Sequence, residues 1–182
     1  MKRIEIEIPD GKRAEWVNGV LTLVDEKPKD VTERIKTFED ACNELGDSNI
    51  FVKEYKEICL NNWISIDMCA YLKLRIVCAA LNEGWEPKFT EDEWRWHPWF
   101  NLYTKKELDD MSQEEKDERC IIDVSDRNAG YYAGLAFANS YNAPSDATAY
   151  FGSRLCLKNS DLAEYCGRQF INLWADYLLR RK

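Results

Sequence analysis

The stretch from Asp67 to Glu83, DMCAYLKLRIVCAALNE, is apolar on more than one helical face and is stopped by Gly84. Such a helix cannot lie on a surface, because part of its apolar circumference would stay in water. It has to be enclosed, and the rest of the chain must supply the cover. With 182 residues the chain can build that core as one domain, without disulfide or metal staples. Apolar residues make up 45% of it, which excludes global disorder.

Two other segments can cover the central helix. Over about 31–45, Ile35, Phe38, Ala41, Cys42 and Leu45 form a stripe that Thr32 can cap and Gly46 can end. Over about 160–179, Leu162, Tyr165, Cys166, Phe170, Leu173, Trp174 and Tyr177 recur at helical spacing. These two helices are expected to pack with 67–83. A weaker helix covers about 50–61. Two capping boxes, Thr104 with Glu107 and Ser112 with Glu115, each start a short helix.

The β signals lie at the two ends of the chain. Ile4, Ile6 and Ile8 alternate with Glu5 and Glu7. Asn18-Gly19 then separates Glu15-Trp16-Val17 from Val20-Leu21-Thr22-Leu23-Val24, a strong hairpin signal. Residues 2–24 therefore read as a three-stranded meander, and DEKPKD over 25–30 as a linker. Further strands are expected over 119–124 and 149–157. The fold class is α+β: a small N-terminal β-meander, a helical core, and a C-terminal strand–long loop–strand–helix. The expected units are 1–26 and 31–182.

A net charge of −8 argues against nucleic acid or an anionic membrane as partner. No apolar run approaches the length of a membrane span, and the start MKRIEIEIPD has no apolar signal-peptide core. The seven cysteines contain no Cys-x-x-Cys and mostly sit in apolar periodic runs. Free thiols in a reducing cytoplasm are the expectation.

The segment 125–151, SDRNAGYYAGLAFANSYNAPSDATAYF, has the composition of a binding loop. Tyrosine gives rigid amphipathic contact area, and Ser, Asn and Gly give adaptable hydrogen bonds. Its candidate partner-binding residues are Tyr131, Tyr132, Asn139, Tyr141, Asn142 and Tyr150. The alternative is a tightly packed interior segment, because Leu135, Ala136 and Phe137 look buried. A second aromatic run, WEPKFTEDEWRWHPWFNLY over 85–103, offers Trp94, Trp96 and Trp99 as a ligand platform for sugar rings. Indole burial between the helical and β halves is the default for it.

Signals for chemistry are thin. His97 is the only histidine, and its aromatic neighbours point to a structural role. Glu91-Asp92-Glu93 reads as the solvated start of a helix at Thr90 rather than a catalytic carboxylate pair. Arg154 could pair with a carboxylate or hold a ligand anion. Phosphate-binding glycine loops and nucleophile elbows are missing from the sequence, so no catalytic residue, metal or cofactor is assigned.

Several pieces together resemble a family of uncharacterised proteins found in phages and prophages of gut Bacteroidales. They are AEWVNGVLTLV over 14–24, RIKTFEDA over 34–41, ALNEGW over 80–85, PWF over 98–100, GSRLC over 152–156 and LAEYCGRQF over 162–170. The resemblance covers most of the chain and implies a protein made in the bacterial cytoplasm, with the virion as a destination. It implies a hypervariable-like contact stretch over 125–150, as in receptor-binding or head-fibre proteins, and a protein or glycan partner. It is compatible with a homo-oligomer or larger assembly. A cytoplasmic phage enzyme or host-takeover factor is the alternative, and a carbohydrate-binding module using the tryptophans a further one.

Thiol titration of the denatured, unreduced protein should return close to the seven cysteines of the sequence. A value near one would reveal three disulfides.

Overall fold

The structure, a computed structural model, describes residues 6–59, 64–88, 90, 92–126, 132–144 and 153–179. Its central element is α4 (Ile66–Leu81), which buries Ala70, Leu72, Leu74, Ile76, Val77, Cys78, Ala80 and Leu81. Those residues point in several directions around the axis, as the sequence requires. After α4, Glu83 and Gly84 turn left-handed, with φ of 50° and 84°. Glycine meets no steric penalty there.

The expected cover is present, but both covering helices are broken. Over 31–45 the chain forms α1 (Val31–Arg34) and α2 (Phe38–Leu45). Asp30, not Thr32, caps the first. Thr37 caps the second in a capping box with Asp40, whose carboxylate accepts from the Thr37 and Lys36 N–H groups. The break frees backbone carbonyls, and the Tyr165 hydroxyl lies 2.8 Å from that of Thr32 and 2.7 Å from that of Ile35. Local capping chemistry thus outweighs the continuous apolar stripe. The C-terminal helix divides at Phe170 into α7 (Ser160–Gln169) and α8 (Ile171–Leu178), and Phe170 itself enters the core. Helices α2 and α8 both pack on α4. The weaker helix is α3 (Ile50–Cys59).

At the N-terminus, β1 (Lys12–Val17) and β2 (Val20–Asp25) form a two-stranded hairpin. Asn18 and Gly19 have φ of 51° and 80°, as a tight hairpin turn demands. The third strand is absent from 6–8, where Ile6 and Ile8 are exposed. Residues 2–5 of that expected strand lie outside the described residues.

The largest corrections concern the second sheet, in which β3 (Trp94–Thr104), β5 (Tyr132–Pro144) and β4 (Ile122–Asp123) lie side by side in that order, all antiparallel. Trp94–Thr104, expected as an aromatic run buried between the helical and β halves, is strand β3, and the described residues between Thr90 and Trp94, Asp92 and Glu93, are not helical. Pro98 hides this strand from a sequence reading, since proline usually breaks a ladder. Trp96 exchanges backbone bonds of 3.1 and 2.9 Å with Leu157, on the side away from β5. Alternation directs the proline nitrogen to that same side, where β3 loses no bond to β5.

The expected long loop contains the central strand, β5 (Tyr132–Pro144). Its register against β3 slips between Trp99 and Phe100, leaving Ala138 as a bulge. That bulge and the many small residues mask the period of two. The strand expected over 119–124 shrinks to β4 (Ile122–Asp123). Over 149–157 there is a 3-10 turn at Ser153–Leu155 and the single bridge at Leu157, while 149–152 lie outside the described residues. Both capping boxes stand as expected, starting α5 (Lys105–Asp110) and α6 (Gln113–Glu118).

The small residues of β5 and α7 let helix and sheet approach closely. A Cβ on Gly167 would fall 2.5 Å from Phe137 and 2.7 Å from Pro98. Phe137 is held in turn by Phe100, with ring centroids 6.1 Å apart, and by the Arg168 guanidinium 4.7 Å from its ring centroid. All seven cysteines are free thiols; only Cys120 is exposed.

Gly167→Ala should cost about 1–2 kcal/mol, because overpacking outweighs the alanine helix preference. Urea unfolding checks this, and an unchanged midpoint would mean that Phe137 yields freely.

Candidate functional site

Residues directly opposite in an antiparallel pair share a face of the sheet. His97 lies opposite Tyr141 and Trp99 opposite Asn139. With Arg95 and Asn101 they occupy one face. Trp96, Pro98, Phe100 and Phe137 occupy the other, which packs toward α7 and α8: Pro98 and Phe137 crowd Gly167, and Phe100 lies 5.7 Å from the ring of Trp174.

On the face turned from the helices, the two ends differ. Arg95 and His97 are buried. Trp99 and Tyr141 are each 47% exposed, with ring centroids 5.7 Å apart and planes tilted by 50°. Asn139 and Asn101 beside them are exposed. An aromatic pair with amides at its rim therefore stands on a strand pair whose underside is locked to a helix.

This arrangement joins residues that the sequence offered as two separate sites. Trp99 came from the tryptophan run, and Tyr141 and Asn139 from the tyrosine-rich segment. Others do not converge. Trp94 is exposed, but alternation puts it with Trp96 on the opposite face from Trp99, and Trp96 is half-buried against the main core. Asn142 lies opposite Trp96 and is half-buried. Tyr132, half-buried opposite Thr104, sits roughly 30 Å along β5 from Tyr141 at the usual rise per residue. Tyr131 and Tyr150 lie outside the described residues. Asn101 was missed, and only the strand register could have shown it.

Arg95, His97 and Cys156 cluster at the buried end of this same face. Burial first, and then the charge of Arg95, lowers the His97 pKa to about 4, against a hydrogen bond with the Leu155 backbone that favours the proton. Burial pushes the Cys156 thiol up to about 11, although the Arg95 charge opposes this. Nucleophilic cysteines need the reverse shift. At neutral pH the cluster holds a neutral imidazole and a protonated thiol, the states that suit a structural role at the buried end of this face.

A cleft of about 380 Å³ opens beyond the end of α4, with Arg75, Trp85 and Arg154 in its wall. Arg75 is already engaged, with Glu54 at 2.8 Å and the Phe51 ring centroid at 4.4 Å. Among the described residues, no three of His, Cys, Asp and Glu converge as metal ligands, and no helix is long and apolar enough to cross a membrane. Comparison of the chain with protein-family models, with curated proteins and with solved structures finds no match.

The His97 shift has a pH signature. The unfolded chain takes up the proton near pH 6.5 and the folded one only near 4. The contribution of neutral His97 is thus complete above pH 6.5 and is lost as pH falls toward 4. Between about pH 7 and about pH 4.5 the wild type should lose about 2 kcal/mol through this group. His97→Gln should be less stable near neutrality but flatter over this range, as read by urea midpoints. Equal slopes in both proteins would remove the assignment.

Proposed function

We propose that this chain is a non-enzymatic phage protein of the structural or recognition type, and that Trp99, Tyr141 and Asn139 contact its partner. The observation that carries the reading is the half-exposed Trp99–Tyr141 pair on a strand pair clamped from below. Interfaces favour rigid aromatic residues ringed by adaptable amides, since these bury much area at little entropic cost. The clamp on Phe137 and Pro98 keeps the backbone beneath the pair from paying an ordering cost on binding. The charge of −8 turns the choice of partner away from polyanions, toward a protein or a glycan. Both aromatic faces suit sugar rings as well as protein side chains.

Mass spectrometry of purified phage particles tests the structural half of this reading, and the protein should be found in them. Its absence would favour the cytoplasmic enzyme or host-takeover reading. Within particles or with a purified partner, Trp99→Ser with Tyr141→Ser should weaken binding by about 2 kcal/mol, roughly thirtyfold. The melting temperature should stay nearly constant, because neither ring belongs to a core cluster. Unchanged affinity would discard this surface. A glycan array run with the same variant separates a sugar partner from a protein one.

A further inference from the structure

The hairpin of β1 and β2 stands apart from both core clusters. Lys12, Ala14 and Trp16 lie opposite Asp25, Leu23 and Leu21, so one face of the hairpin is the strip Ala14, Trp16, Leu21 and Leu23. Trp16 is 71% exposed. An isolated two-stranded hairpin is marginal in water and gains stability from a third strand. Among the described residues the sheet has only these two strands, so no third strand covers its edges. Their polarity is set by the Glu26 N–H, which donates to the Gly11 carbonyl at 2.8 Å. Alternation then directs the N–H and C=O groups of Gly11, Arg13, Glu15 and Val17 toward β2. Those of Ala14 and Trp16, with the Lys12 carbonyl, point outward along the β1 edge and have no backbone partner among the described residues; the Lys12 N–H donates to the Pro9 carbonyl at 3.1 Å.

We propose that this edge pairs antiparallel with the β1 edge of a second copy of the chain, around a twofold axis at Ala14. The charges choose the register. Odd shifts would set the apolar strip of one copy beside the mixed face of the other. Centring the axis on Arg13 or Glu15 would place like charges opposite each other. With Ala14 opposite Ala14, each Arg13 faces the second copy's Glu15, and the contact repeats by symmetry. Directly opposed side chains of opposite charge stabilise a strand pair. Each Trp16 then lies opposite the second copy's Lys12 and diagonal to its Ala14, within reach of a cation–π contact. The outward amides of Ala14 find partners, and the two hairpins become one four-stranded sheet with a continuous apolar strip. The β2 edge has no charged pair between Val20 and Val24 to fix such a register.

Sedimentation velocity of the full chain tests this. The wild type should sediment at twice 21.4 kDa. Arg13→Glu and Glu15→Arg should each weaken association at least tenfold, because like charges then oppose across the axis. Mixing these two variants should restore the dimer, since one edge is then doubly acidic and the other doubly basic. Circular dichroism should show both variants folded, the hairpin lying outside the core clusters. Independently, Ala14→Cys should form a covalent dimer on mild oxidation, because opposed hydrogen-bonded residues sit within disulfide range. The wild type, with its exposed Cys120, is the control. A monomeric wild type, a dimer indifferent to both charge reversals, a mixture that stays monomeric, or cross-linking through Thr22→Cys instead would each overturn the proposal.

Discussion

The side-chain amide of Asn82 joins the two halves of this molecule. It is 6% exposed, and both of its polar atoms are used: its nitrogen donates to the Cys156 carbonyl at 2.9 Å, and its oxygen accepts from the Lys158 N–H at 3.0 Å. The residue between those two contacts, Leu157, forms the backbone bridge to Trp96. One carboxamide at the end of the central helix therefore fixes the segment that β3 pairs with. Asn82 is followed by Glu83, which binds Arg34 at 2.7 Å and Lys158 at 2.8 Å. The exposed ion pairs add modestly by comparison. A buried amide satisfied at both ends is different, because removing either partner strands a polar group in a dry interior.

From this joint the surface of the sheet can be followed outward. β3 is held by Leu157 on one side and β5 on the other, and α7 fixes the distance from below through Gly167. Arg95 and His97 fill the buried end of the outer face. Only beyond them, at Trp99 and Tyr141, does the face meet water. The aromatic pair owes its fixed position to polar contacts that lie several residues away.

The helical half was largely legible in the sequence, and the sheet was not. The Asp67–Glu83 run is apolar on several faces and allows one solution, and the capping boxes at Thr104 and Ser112 are local chemistry that needs no tertiary context. The breaks at Ile35 and Phe170 escaped because both residues continue the apolar stripe on either side, and only the cap at Thr37 marks the first. β3 escaped because Pro98 argues against a strand unless its nitrogen is known to face away from its ladder partner. β5 escaped because Gly134, Ala136 and the bulge at Ala138 erase the alternation. For the candidate surface, the residue types were readable, but their grouping depends on register, which no single strand carries. The tryptophan run and the tyrosine-rich segment looked like separate features because their relation is a pairing across forty residues of chain.

The contact between Gly167 and Phe137 divides β3 and β5 lengthwise into two packing environments. On the helix side, Pro98 and Phe137 leave no room for a methyl group at Gly167, so a replacement there has to be made in concert with theirs. On the other side, Trp99, Asn139 and Tyr141 border water, and a change in any of them leaves the packing below untouched. Neighbouring residues in one strand thus face very different steric constraints. A lineage could exchange what this sheet presents to the outside, generation after generation, without ever renegotiating how it folds.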